Sequence, residues 1–364
     1  MKSHKRFFVA ATQQNDGKST ICLGLIHAFR KKYPKLGFIK PIGHHFIELE
    51  GYKIDEDVVL MHEVYNLNHN LHDMNPIPVG KGFTERFIKE GGVENYAKVI
   101  KEAYNRVSSD KDLMIIEGTG HAGVGAVLNL SNATVAKILN SKVIIVTTGG
   151  IGRTIDEIMI NKALFDKESV EIIGVIINKV RKNKFDKIKT VVGLGLEQKG
   201  IKLLGAIPFQ EILSYPTMKQ IMDATESTIL WGEEFLGRRV KNVLVGAMEP
   251  YHALNYFTSN SLVIVPGDRE DIILAVIATE MIQRNSKTVS GMILTGGLLP
   301  HKGVMDLIRN CRSTILFSED DTYQITKRVH ECRVKIKATD KDKIDEAVKL
   351  VEDYVDMNEV VARL

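Results

Sequence analysis

Short apolar runs alternate with longer amphipathic stretches over the first two-thirds of the chain, the pattern of strand–helix–strand units built on a parallel sheet. Phe7-Phe8-Val9-Ala10-Ala11 is apolar throughout, which predicts a strand covered on both faces. A Gly-containing turn follows it, then a segment that predicts a helix over 19–32. Leu36-Gly37-Phe38-Ile39-Lys40 predicts a second strand, stopped by Pro41, and further strands are predicted over 113–116, 143–147, 172–177 and 203–207. Helices over 94–108 and 154–165 fit as crossovers. Pro208 and Pro216 bracket a short segment that marks a boundary, giving domains over 1–215 and 216–364. Beyond it, strands over 243–246, 262–265, 292–294 and 314–317 and helices over 271–283, 302–309 and 341–355 resume the rhythm. The expected fold is α/β: a mostly parallel sheet with helices on both faces, followed by a smaller α/β domain.

Composition narrows the function classes. The 364 residues are 44% hydrophobic and 26% charged, as in a soluble globular chain. A net charge of +4 argues against a polybasic nucleic-acid binder. No apolar run approaches the ~18 residues of a membrane helix, and the apolar part of the basic start at 1–10 is too short for a signal peptide. Three cysteines, Cys22, Cys311 and Cys332, are too few for a disulfide framework and fit a reducing cytoplasm.

The segment Ala11-Thr12-Gln13-Gln14-Asn15-Asp16-Gly17-Lys18-Ser19-Thr20 falls between the first predicted strand and helix. Its Gly-Lys-Ser tripeptide is the tail of a P-loop, which makes the expected sheet that of a P-loop NTPase. Amides at a helix start point at phosphate oxygens and the helix dipole favours the anion. Lys18 adds charge on the outer phosphates, and the Ser19 hydroxyl suits Mg²⁺. The nucleotide-binding residues read from the loop are Thr12, Gly17, Lys18, Ser19 and Thr20. The spacing departs from G-x-x-x-x-G-K-[ST], because Thr12 or Ala11 stands at the leading glycine, and Asp16 puts a carboxylate beside the cradle.

The longer loop, Phe38-Ile39-Lys40-Pro41, Ile115-Ile116-Glu117-Gly118-Thr119-Gly120, Ile176-Ile177-Asn178-Lys179-Val180 and Gly205-Ala206-Ile207-Pro208 together resemble the dethiobiotin synthetase family. With Val245-Gly246-Ala247-Met248, Val265-Pro266-Gly267-Asp268-Arg269, Leu294-Thr295-Gly296-Gly297 and Glu319-Asp320-Asp321-Thr322-Tyr323, nearly the whole chain resembles the amino-terminal region of long phosphotransacetylases. In those proteins a dethiobiotin synthetase-like domain is joined to a DRTGG domain; the literal Asp-Arg-Thr-Gly-Gly pentad does not occur here. The resemblance implies ATP and Mg²⁺ as ligands, with Lys18 on phosphates, Ser19 and Glu117 around the metal, and Asn178 at the adenine edge. Asp57 is similar to the family's other acidic metal-site residue, and Asp55 is a further candidate. Lys40 matches the lysine that contacts the reacting carbamate, which makes Lys18 and Lys40 the catalytic residues of the matched family and places a small anionic metabolite near Lys40. Asn15 replaces the family's acidic P-loop residue, and Gly43-His44-His45 stands where a Ser or Thr follows the Lys-Pro.

These departures favour a cytoplasmic Mg-ATP-binding protein with a regulatory or accessory role over an ATP-dependent ligase of the dethiobiotin synthetase or cobyrinic acid diamide synthase type. A degenerate, non-binding scaffold is a third reading. The chain ends at Leu364 after its last amphipathic stretch, so no phosphotransacetylase catalytic domain and no acetyl transfer are expected. Self-association through the second domain is expected, and neither nucleic acid nor membrane is an expected partner. The G-x-G-x-x-G of 118–123 is set aside as a dinucleotide fingerprint, since no acid ends the next strand and 125–130 does not read as helix. His44-His45 and His69-x-x-His72 read as loop histidines.

Overall fold

The computed structural model describes residues 4–49, 51–91, 95–282 and 289–364. The expected helix start at 94 and helix end at 283 lie outside these residues, as do residues 1–3. Two compact units form: residues 1–210 with 336–364, and residues 211–335.

The first unit is built on a six-stranded parallel sheet. Across it run Leu203–Pro208, Ile172–Val180, Lys142–Thr148, Lys5–Ala11, Leu113–Glu117 and Leu36–Ile39. Phe7, Phe8, Val9, Ala10 and Ala11 are all buried, as their unbroken apolar run requires. After Lys5–Ala11 the chain moves two places to one side, returns through Leu113–Glu117, then builds the other side from Lys142–Thr148 outward. The loop after Lys5–Ala11 therefore opens at the point where strand order reverses, the crevice in which open α/β sheets bind ligands.

The expected second domain of 216–364 is corrected at its carboxyl end. Helix Lys341–Tyr354 packs on helix Lys18–Arg30, and Val355 bridges Gly205. A Cβ on Gly24 would lie 2.3 Å from Val351 Cγ2, so only glycine permits this approach. An amphipathic helix declares that it has an apolar face but not which sheet that face covers, which is why 336–364 could not be placed from sequence.

The second unit holds a five-stranded sheet in the order Thr228–Trp231, Thr314–Phe317, Gly291–Thr295, Ser261–Pro266, Asn242–Val245. Four strands are parallel, and Thr228–Trp231 pairs antiparallel at one edge. Alternate side chains feed two cores: Val263, Val265, Met292 and Leu294 meet Ile272, Val276 and Ile308, whereas Leu262, Ile264 and Ile293 meet Met218, Ile221 and Ile325. Pro266 and Thr295 are register partners, so Gly267-Asp268-Arg269 and Thr295-Gly296-Gly297 leave the same sheet edge. No helix among the described residues is long and apolar enough to cross a membrane.

Candidate functional site

Residues 11–20 curl from the central strand into the 13-residue helix Lys18–Arg30. Gly17 takes φ +94° and Asn15 φ +64°, the left-handed turn that aims the chain into the helix. A Cβ on Gly17 would fall 2.3 Å from Asn178 Nδ2, so glycine is demanded twice over. The first intrahelical hydrogen bond runs from Ile21 N–H to the Gly17 carbonyl, and the amides of Lys18, Ser19 and Thr20 precede it at the dipole's positive end.

Side chains from three strand ends brace this loop. Asn178 Nδ2 donates to the Asp16 carbonyl at 2.8 Å, and Lys179 Nζ donates to the Asn15 carbonyl at 2.5 Å. Thr12 Oγ1 lies 2.9 Å from both Asp16 Oδ2 and Thr147 Oγ1. Asp16 Oδ2 also accepts the Gln13 N–H at 2.8 Å. The sequence reads Asp16 as a like charge facing phosphate. Here it is buried, 4% exposed, and holds the loop to itself; burial raises its carboxyl pKa.

A second group of charges lies beneath the helix start. Ser19 Oγ donates to Glu117 Oε1 at 2.8 Å, where Glu117 ends its buried strand. Lys40 Nζ lies 2.8 Å from Asp55 Oδ1, makes a short contact with Asp57 Oδ2, and stands 3.8 Å from Glu117 Oε1. Lys18, Lys40, Asp55, Asp57 and Glu117 are all buried. Asp55 caps helix Glu56–Tyr65 by accepting Asp57 N–H, and takes the His44 N–H at 3.1 Å. Asn75, fully buried, accepts Asp55 N–H and donates to the Lys40 carbonyl, fixing both ends of the ion pair. Burial lowers the Lys18 pKa, opposed by Glu117. The Lys40 pKa is raised despite its burial, because Asp57, Glu117 and Asp55 surround it.

Burial pushes the Glu117 carboxyl up to about 7, against the pull of Lys40 and Lys18. Between its ordinary 4.5 and about 7 the folded chain keeps a proton that the unfolded chain has lost. This group's contribution to stability therefore falls as pH rises through that window. Glu117→Gln is expected to raise the melting temperature relative to wild type at pH 8 but not at pH 5. Equal shifts at both values would contradict it.

The expected residues Lys18, Ser19, Lys40, Asp57 and Glu117 thus converge, with Thr12, Gly17, Thr20 and Asn178 in or against the loop. Asn75, Thr147 and Asn132 escaped the reading, and Asp16, read as facing phosphate, instead turns its carboxylate onto Thr12 and Gln13. Asn132 Nδ2 donates to the Thr119 and His121 carbonyls and shapes the glycine turn after Glu117. A short 3₁₀ turn, Ala126–Leu128, follows in the stretch read as non-helical. No group of three His, Cys, Asp or Glu side chains arranged to hold a metal occurs among the described residues. The carboxylates of Asp57 and Glu117 and the Ser19 hydroxyl are hard oxygen donors, the complement Mg²⁺ takes alongside phosphates and water. Glu117 Oε2 is buried without a hydrogen-bond partner, an orphan that a cation would satisfy.

Comparison with known proteins places these features. Residues 5–217 match the family described as AAA domain, and residues 220–332 match the DRTGG domain. The chain is 27% identical over 362 residues to a phosphate acetyltransferase of Synechocystis sp., covering 96% of this chain and 50% of that protein. It is 26% identical over 371 residues to a phosphate acetyltransferase of Pseudomonas aeruginosa, covering 96% and 51%. The chain spans about half the length of the curated relatives it matches. Among solved structures, a putative plasmid partition protein of Borrelia burgdorferi bound to AMPPNP is 17% identical, with 58% of this chain and 90% of that chain covered, at a TM-score of 0.38. The CBS and DRTGG domains of the regulatory region of Clostridium perfringens pyrophosphatase, complexed with diadenosine tetraphosphate, are 18% identical, with 44% and 75% covered, at a TM-score of 0.29. By its match over more than half its length, the chain belongs to the AAA domain family, with a DRTGG domain behind the P-loop domain as in the amino-terminal region of phosphotransacetylases.

Proposed function

We propose that the first unit binds Mg-ATP and that the chain acts as a nucleotide-dependent regulatory or accessory protein. The observation that carries this reading is the joint placement, at the strand-reversal point, of the 11–20 loop, the Ser19–Glu117 contact and the orphaned Glu117 Oε2. In this reading Lys18 neutralises the outer phosphates, the amides of Gly17, Lys18, Ser19 and Thr20 receive their oxygens, and Thr12 holds the loop. Ser19, Asp57 and Glu117 hold Mg²⁺, which offsets phosphate charge when bound. Asn178, braced against Gly17, lies at the adenine edge. Lys40 is engaged by Asp55 and Asp57, which supports a regulatory role over ligase chemistry on an acceptor anion. The test is thermal denaturation with and without Mg-ATP. A ligand at 100 Kd adds ~2.7 kcal/mol, a rise of roughly 5–10 °C for a unit this size. Ser19→Ala and Glu117→Gln are expected to reduce the rise when Mg²⁺ is present and to leave the metal-free response unchanged. No shift in the wild type would favour the non-binding scaffold.

Self-association belongs to the same proposal. Strand Asn242–Val245 stands at an edge of the second sheet, and Val245, Met248, Tyr251 and Leu254 are exposed on and just beyond it. Exposed apolar side chains of this kind are where a second copy would bury surface. Sedimentation of the full chain is expected to show dimers or larger species at micromolar concentration, with Tyr251→Lys shifting them toward monomer. A strict monomer would overturn the idea.

A further inference from the structure

We infer that Lys40 is the carboxylate pocket's own cation when no metal is bound, so that divalent metal enters only with nucleotide phosphates and with withdrawal of Lys40 from Asp57. The inference rests on the reading of Asp57 and Glu117 as metal ligands.

Three observations carry it. First, Lys40 Nζ lies beside both carboxylates that the reading gives to the metal: it contacts Asp57 Oδ2 and stands 3.8 Å from Glu117 Oε1. Its ammonium already supplies positive charge on the Asp57 side of that seat. Second, its two aspartates are not equivalent. Asp55 is fully buried and fixed by hydrogen bonds from the Asp57 and His44 amides, whereas Asp57 lies on the first turn of helix Glu56–Tyr65 and is slightly exposed. In this inference Asp55 is the anchor and Asp57 the partner given up, so that Lys40 stays paired after releasing it. Third, Lys18 is a second buried lysine and directly precedes Ser19, the hydroxyl that the reading gives to the metal. A divalent ion arriving alone would meet two ammonium groups at close range, in surroundings where water screens little. Polyphosphate brings the negative charge that removes this opposition, and coupling between the two ligands is reciprocal.

The test uses the full chain and Mn²⁺, read by electron paramagnetic resonance of the free ion. Wild type is expected to bind Mn²⁺ weakly alone and at least tenfold more tightly with ATP, measured against the same Mn²⁺–ATP mixture without protein. Lys40→Met should bind Mn²⁺ without nucleotide at least tenfold more tightly than wild type, and Lys40→Arg should behave as wild type. Because Lys40→Met leaves Asp55 buried without its partner, the double variant Lys40→Met/Asp55→Asn provides a second arm. It removes that charge, keeps an oxygen for the Asp57 amide, and should show the same gain. If wild type binds Mn²⁺ with ATP but neither variant gains affinity without it, the role given to Lys40 is wrong and the metal site stands. If Mn²⁺ binds none of these proteins, with or without ATP, the metal site itself is wrong and the inference falls with it.

Discussion

Lys18→Ala is expected to weaken Mg-ATP binding at least tenfold. A charge-assisted contact to phosphate contributes ~1.5–3 kcal/mol net, and tenfold corresponds to about 1.4 kcal/mol. Burial already works against the charged form of Lys18, so its ammonium is poorly solvated before any ligand arrives and little hydration is lost on binding. The neighbouring Glu117, with Asp16 and Asp57, opposes that effect of burial. Removing Lys18 takes a positive neighbour away from Glu117, so that carboxyl is expected to titrate higher still. Titration calorimetry gives the affinity, and circular dichroism shows that the variant is folded. Wild-type affinity in a folded Lys18→Ala chain would mean that the 11–20 loop is not the phosphate cradle.

Asp55→Ala has the larger effect on the fold itself. Breaking a buried ion pair from one side leaves an uncompensated charge, at a cost of about 3–5 kcal/mol. Asp55 also caps helix Glu56–Tyr65 and receives the His44 amide, and loss of a cap alone costs about 1 kcal/mol. Lys40 retains Asp57 and Glu117 nearby, so the lower end of the range is expected for the ion pair. Urea denaturation of the full chain should show the first unit losing stability by at least 3 kcal/mol. A loss below 1 kcal/mol would show that Lys40 repairs itself fully on Asp57 and that Asp55 anchors nothing.

The parts of the fold that were legible are those whose signal is local. Parallel strands buried on both faces announce themselves as runs such as Val143-Ile144-Ile145-Val146, and each expected strand is present, most with ends shifted by a residue or two. The helix start at Lys18 was legible because Gly-Lys-Ser has one common use after a buried strand. The hairpin Phe46–Leu49 with Tyr52–Asp55 was not, because its strands are short, half-exposed and without alternation. Helix Lys341–Tyr354 was found, but its partner was not. The clue lies elsewhere, in Gly24, which breaks an otherwise bulky helix where Val351 approaches.

The site divides the same way. Lys18, Ser19 and Glu117 sit where motif and strand end put them. Asp16 was misjudged because spacing places it near phosphate but says nothing of its rotamer, and only the fold turns it back onto Gln13 and Thr12. Asn75 carries no sequence signal. An asparagine after a short helix is an ordinary turn residue until the fold buries it between Asp55 and Lys40. Buried polar groups of this kind answer to partners that are distant along the chain.

The most direct measurement of the central claim is titration calorimetry of the wild-type chain with ATP, with and without Mg²⁺. The account predicts one nucleotide per chain, bound more tightly with Mg²⁺ than without, with the metal-dependent gain removed by Ser19→Ala. Absence of binding under both conditions, or binding that Mg²⁺ leaves unchanged, would contradict it.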